Sequence, residues 1–198
     1  LYYDHVWNRP GSTPQSVAAE LDRNFGGATA QIFNPQLLQR ALRAVKPVKT
    51  CGDLIKNPEN PSEWMFTPLA IGGLTSLWIK LEDGPNGPVP PKDEYVFGAD
   101  ISAGTGGDYS SYSALEGLSK TTGEQVFEWR SNRLDPIQFA ELSVWVCNWF
   151  YGAYLVPECN GPLGQLFINR ACRELKYGNV FRRIKQNVAY REPTERIG

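Results

Sequence analysis

Tyr95-Val-Phe-Gly-Ala-Asp100-Ile-Ser-Ala-Gly104-Thr-Gly-Gly-Asp108-Tyr-Ser-Ser-Tyr-Ser-Ala-Leu115 is the stretch on which the reading of this chain turns. It opens as a short apolar run and ends on an acid, Asp100. Three glycines in four positions follow (Gly104, Gly106, Gly107), then a second acid, Asp108. Strand-like residues return through Tyr109, Tyr112 and Leu115. A carboxylate at the end of a buried strand is costly unless it is hydrogen-bonded, paired or bound to a metal. Glycines just after it permit positive φ and a close approach of backbone and ligand.

Downstream the order is legible. Segments 95–101, 111–118 and 124–130 read as strands of an antiparallel meander, the last two joined by the Lys120-Thr121-Thr122-Gly123 turn. Asp135-Pro136 opens a helix, with an aspartate cap, proline at the first position, and Phe139, Leu142, Val146 and Phe150 along one face. Segment 153–156 reads as a fourth strand delivering Glu158. A second helix begins at Asn160-Gly161-Pro162 and runs to Gly178, and 179–184 reads as a fifth strand. The expected fold is α/β, a mixed five-stranded sheet flanked by helices. A helical crossover places the fourth strand parallel to the first, so Asp100 and Glu158 are expected at one edge.

Upstream the signals are weaker. Thr13-Pro14 predicts a short helix, and Leu37, Leu38, Ala41, Leu42 and Val45 lie at helical spacing. Segment 51–61 reads as a polar loop, and 64–66 and 74–81 as strands around Ile71-Gly72-Gly73. The Pro/Gly-rich connector 84–91 suggests a boundary, giving a mainly irregular and helical N-terminal appendage over 1–91 and the main domain over 92–198. A start at Leu1 and a stop at Arg196-Ile197-Gly198 read as cut ends of something longer.

The 198 residues carry a formal net charge of −1, with 41% hydrophobic and 21% charged residues, which fits a globular chain and announces no polyanion partner globally. Charge is uneven: from Gln165 to Gly198 eight basic residues face three glutamates, enough to draw a polyanion to one side. Within this segment Arg182, Arg183 and Lys185 are candidates to hold a phosphate backbone without reading sequence. The alternative is a solvated helix face and loop. His5 is the sole histidine, and Cys51, Cys147, Cys159 and Cys172 show no C-x-x-C spacing. Zinc-finger chemistry and Ser-His or Cys-His nucleophiles are therefore disfavoured. With no signal peptide or long apolar span, a cytosolic chain with reduced thiols and no membrane partner is expected.

Paired carboxylates without histidine or cysteine suit a hard cation such as Mg²⁺ or Mn²⁺, and two such ions can clamp a phosphodiester during hydrolysis. On pattern alone, Asp100 as a loop cap and Glu158 as a solvated acid is the reading that carries slightly more weight. The segments 98–110 and 155–164 (Gly98-Ala-Asp100 through Ser110, and Leu155-Val-Pro-Glu158-Cys-Asn160-Gly161-Pro162) resemble the two acidic motifs of the nuclease domain of tailed-phage terminase large subunits. Segment 191–198 and Glu20-Leu-Asp22 followed by Gly26-Gly27 are similar to flanking parts of that family.

The resemblance implies a ribonuclease H-like fold and a two-metal endonuclease that cuts concatemeric double-stranded DNA during genome packaging. It implies Asp100 and Glu158 as catalytic metal ligands, Asp108 as an accessory metal ligand and Asn160 as an accessory residue. It also implies portal and small-subunit partners in a host cytoplasm, and a third acid on a later helix. No acid after Glu158 fits that helix, since Glu174 precedes it and Glu192 and Glu195 fall in a polar loop. Weak metal binding and impaired cutting are expected. Two rivals stand beside this reading: an actin-like or sugar-kinase-like ATP-binding domain using the glycine loop, and a non-catalytic module docking on DNA or portal. Against the first, Pro162 removes an N–H donor from the only other glycine-rich segment suited to phosphate. Dinucleotide binding is weaker still, because the glycines lead into a strand. Trp129, Trp145, Trp149, Phe150 and Tyr154 read as core rather than as a stacking surface for bases.

Overall fold

The computed structural model describes residue 8 and residues 35–61, 63–85, 87–107, 111–185 and 194–197, with side chains for all but 35, 183–185 and 194–197. The chain divides into two units, Leu1–Lys46 and Pro47–Gly198. In the first, the helical spacing around Leu38 forms α1 (Pro35–Arg43), whose described side chains are exposed. The helix expected after Thr13 lies outside the described residues.

The second unit is built on a seven-stranded mixed sheet. Its strands are β1 (Thr50–Lys56), β2 (Trp64–Leu69), β3 (Thr75–Leu77), β6 (Tyr95–Asp100), β7 (Ser113–Ser119), β8 (Gln125–Ser131) and β9 (Tyr154–Pro157), in the order β2-β1-β3-β8-β7-β6-β9. β4 (Glu82–Gly84) and β5 (Gly87–Val89) form a separate hairpin, as do β10 (Arg182–Lys185) and β11 (Thr194–Ile197). The meander β6-β7-β8 forms as expected, and β9 lies parallel to β6 in the register Val96↔Tyr154 to Ala99↔Pro157.

Alternation along each strand explains why the sheet has one packed face. In β6 Tyr95, Phe97 and Ala99 point into the core, leaving Gly98 and Asp100 on the open side. Gly117 of β7 is a glycine because Phe97 lies over it: a Cβ there would come within 2.6 Å of the ring. On the packed face lies α2 (Pro136–Trp149), whose Asp135 cap accepts from the N–H groups of Ile137 and Gln138, each at 2.9 Å. Gln138 reciprocates, accepting from the Asp135 N–H to complete a capping box. The helix buries Phe139, Leu142 and Val146, then ends at Phe150, where Tyr151 and Gly152 take positive φ to reverse the chain into β9. Next come α3 (Gly161–Ile168) and a π-helical turn (Asn169–Glu174).

Three expectations need correction. Segment 51–61 is not a loop throughout: β1 occupies its first part and pairs with both β2 and β3. Its inward positions are Gly52 and Leu54, so only one side chain carried an apolar alternation signal. The sheet consequently has seven strands, and the boundary expected at 91/92 falls inside one compact unit. The connector is strapped to α2, with Trp149 Nε1 donating to the Pro88 carbonyl at 3.0 Å and Tyr151 Oη to that of Pro90 at 2.8 Å. Finally, the expected fifth strand touches the sheet only through a parallel bridge between Val180 and Leu155, and 182–185 pair with β11 instead.

An ion chain ties β1 to the helices. Lys56 Nζ meets Glu141 of α2 at 3.0 Å, and Arg170 meets both Glu141 (2.6 Å) and Glu174 (2.5 Å). The centre of the core is aromatic: Phe150 packs edge-on against Tyr95 and Phe97, each with centroids 4.9 Å away, and against Phe127 at 5.6 Å. Phe150→Ala is therefore expected to cost about 3–5 kcal/mol of folding free energy, read from urea denaturation. A loss below about 1 kcal/mol would show that the crossover does not depend on this cluster.

Candidate active site

Asp100 is the last residue of β6, and Glu158 follows the last residue of β9. Because these neighbouring strands are parallel, both acids emerge at the carboxyl edge, and the Glu158 N–H donates to the Ala99 carbonyl at 2.8 Å. Continued register sets Glu158 beside Asp100 on the open face. The Asp100 carboxyl is held above the ordinary range, first by loss of water, then by the hydrogen bond to Glu158 and its charge. The Ile101 N–H pulls the other way.

Each acid is held from behind. Asn160 Nδ2 donates to Glu158 Oε1 at 2.6 Å, so this asparagine orients the glutamate, and its side chain makes no capping bond to α3. Gly164 lets α3 sit tight under the same segment: a Cβ there would lie 2.7 Å from Cys159 Cα and 2.9 Å from the Glu158 carbonyl oxygen. After Asp100, the Ser102 N–H donates to Ser113 Oγ at 2.9 Å in a buried pair of hydroxyls. Beyond it the glycine loop is clasped by the turn after β8: the Gly106 N–H donates to the Asn132 carbonyl at 2.7 Å, and Asn132 Nδ2 to the Gly107 carbonyl at 3.0 Å. Gly104 has φ 67°, and a Cβ on it would lie 2.0 Å from the Leu134 carbonyl oxygen. The close approach that the glycine provides is to the protein's own backbone.

The acids face a cleft of about 440 Å³ lined by Gly98, Asp100, Glu116, Val156 and Glu158 among others. A second groove of about 390 Å³ shares Asp100 and runs past Gly104 to Tyr112 and Leu163. Glu116, opposite Gly98 in β7, is a lining acid that the sequence reading missed. Its place two residues after Ala114 on the exposed alternation was the available signal. Among the described residues no group of three metal-ligating side chains forms. Asp108 lies outside the described residues. Arg182 is exposed on the separate β10–β11 ribbon, where Arg183 and Lys185 also stand, so the three basic residues do not extend a strand of the main sheet.

The sheet order β8-β7-β6-β9 is an antiparallel meander followed by a parallel crossover strand, with a pair of oxygen donors at adjacent strand ends. Solved structures similar to this chain are nuclease domains of phage large terminases. The large terminase nuclease of thermophilic phage G20c with bound magnesium aligns with a TM-score of 0.42 and 17% identity over 56% of this chain and 50% of that one. The same nuclease with bound cobalt gives 0.42 and 16%, and with bound zinc 0.41 and 18%. The match spans about half the length of those chains: 50% for the cobalt form and 55% for the zinc form. No family model and no curated protein matches the sequence. Among the described residues no helix is long and apolar enough to cross a membrane.

Folding raises the Asp100 pKa, so the native state binds that proton more tightly than the unfolded chain. The Asp100 contribution to stability then falls as pH climbs from the ordinary carboxylate range through the raised value. Asp100→Asn is expected to remove that decline and raise the melting temperature at neutral pH. Thermal unfolding between pH 4 and 8 checks this, and an Asn variant that melts lower than the parent at neutral pH would contradict it.

Proposed function

We propose that this chain is the nuclease part of a phage-type terminase large subunit, an endonuclease that hydrolyses double-stranded DNA with the help of Mg²⁺ or Mn²⁺. The observation that carries this reading is the meeting of Asp100 and Glu158 on one open face at the ends of parallel neighbouring strands. The donor set fits such ions: two carboxylates at neighbouring strand ends, lining one cleft, offer oxygen ligands and like charges that a cation would offset. When bound, the ions supply the positive charge that stabilises the attacking and leaving oxygens of the phosphodiester.

The chain's own residues do the rest. Asn160 holds one oxygen of Glu158, a residue that lines the cleft. Asp100, whose carboxyl holds its proton more tightly than an ordinary aspartate, would have to be deprotonated to serve as a ligand, which would couple metal binding to pH. The open side of the cleft admits a phosphate backbone. Asp108 is proposed as an accessory ligand, and Arg182, Arg183 and Lys185 as contacts to the duplex away from the cut. Portal and small-subunit partners, and a host cytoplasm, belong to the same proposal. Because no group of three metal-ligating side chains forms among the described residues, metal binding is expected to be weak and cutting slow.

The ATP-binding rival loses support at Gly104, whose open side is filled by the Leu134 carbonyl rather than left for a phosphate. Calorimetric titration of the 198-residue chain separates the readings. Mn²⁺ is expected to bind weakly, and the heat is expected to vanish in Asp100→Ala. A non-hydrolysable ATP analogue is expected to give none. Nucleotide binding would transfer the site to the kinase-like class, and silence in both titrations would leave a docking module. Fast Mn²⁺-dependent plasmid cutting abolished by Asp100→Ala would uphold the nuclease and overturn the expected impairment.

A further inference from the structure

An acidic cleft that accepts a polyanion needs a positive contact near it, and the basic residues on β10 stand on a separate ribbon. Register supplies another place to look. Asp100 lies opposite Ala114, and Ala114 lies opposite Arg130, so Glu158, Asp100, Ala114 and Arg130 form one row across the open face. Arg130 is thus two strand spacings, about 10 Å, from Asp100 at the backbone. β8 runs in the same direction as β6, so its last residues arrive at the carboxyl edge too. Crevices at the carboxyl ends of strands are where open α/β sheets bind ligands.

Arg130 is also poised. Its guanidinium lies over the Tyr112 ring, 5.9 Å from the centroid, and that ring lines the groove leading back to Asp100. Its acid partner is loose: Glu128 stands 3.8 Å away, and 59% of the Arg130 side chain is exposed. A stacked guanidinium keeps its planar fork of donors free at the edges, which suits a phosphate. Three residues on, Arg133 is exposed on the turn whose Asn132 clasps the glycine loop. The Arg133 stem is the side-chain atom group nearest a Cβ built on Gly106, at 4.0 Å, so this second arginine stands beside the glycine loop.

We propose that Arg130 and Arg133 form a backbone-phosphate clamp for duplex DNA, holding the strand along the Tyr112 groove so that a neighbouring phosphodiester reaches Asp100 and Glu158. Contacts of this kind fix position and carry no sequence information. The inference rests on the nuclease reading for its substrate, and adds a site from β8 that the acid motifs do not contain. Neutralising both arginines removes two phosphate contacts while leaving the acid pair in place.

The test uses the 198-residue chain and a labelled DNA duplex of two helical turns, with Ca²⁺ present to limit cutting. Fluorescence anisotropy across about 50–200 mM salt gives the slope of log affinity against log salt. Arg130→Ala with Arg133→Ala is expected to weaken binding about tenfold and to lower the slope by about 1–2, close to 0.9 per lost contact. The double lysine variant is expected to restore most of the slope, which a merely structural role for Tyr112 stacking would not do. Arg133→Ala alone, on an exposed turn, guards against a folding defect and is expected to lose about half the effect. An unchanged slope in a folded double-alanine variant, or no duplex binding by the parent chain, overturns the clamp. Mn²⁺ calorimetry on the same variant keeps the two proposals apart: metal heat retained with the slope unchanged sinks only the clamp, whereas heat absent from the parent sinks the nuclease reading.

Discussion

The crossover through α2 is the constraint on which the rest depends. A strand can lie parallel to β6 only if the chain returns across a face of the sheet before entering it, and α2 makes that return. The return is held by burial. Phe139, Leu142, Val146 and Phe150 are each removed from water, worth about 1.5–3 kcal/mol apiece by transfer alone. No hydrogen bond at the site approaches that sum. The aromatic packing on one face therefore decides that Glu158 stands next to Asp100 on the opposite face, across from Ala114.

That arrangement imposes an electrostatic cost, and its size depends on water. Two unit charges 4 Å apart repel by about 1 kcal/mol in bulk water and about 4 kcal/mol at the effective dielectric typical near a protein surface. An open cleft keeps the acid pair toward the lower figure, and the raised Asp100 pKa owes more to loss of water than to the charge of Glu158. The acid pair is thus tolerable in an open cleft. A closed site of the same composition would be far harder to fold.

Sequence disclosed the parts of this design that rest on local chemistry. The alternation of 95–101, the Asp135-Pro136 cap and the run into Glu158 each fixed an element, and right-handed crossover geometry joined the two acids before any coordinates. What stayed hidden had non-local causes. β1 presents glycine at one inward position, and its place is set by pairing with β2 and β3, while Asp53 Oδ1 accepts from the Leu74 N–H at 2.7 Å. Gly104 looked like a ligand cradle because the sequence cannot reveal that the Leu134 carbonyl fills the space. The exposed alternation of β7 marked the face of Glu116, but its nearness to Asp100, like that of Arg130, exists only through register across the strands.

The edge of the sheet is built differently from its centre, and that difference bears on function. Behind the acids the supports are hydrogen bonds between loops: Asn132 to the glycine loop, Asn160 to Glu158, Ser102 to Ser113. Such bonds contribute about 0.5–1.5 kcal/mol each, well below the burial terms of the core. Local opening is accordingly cheaper at the carboxyl edge than in the β6-β7-β8 centre, and binding sites are drawn from this low-stability end. A rigid centre sets which side chains meet, and a softer edge lets two repelling carboxylates adjust around whatever charge they come to share. The openness of the cleft and the modest strength of these clasps are two aspects of one requirement, that an acid pair be held close without being sealed in.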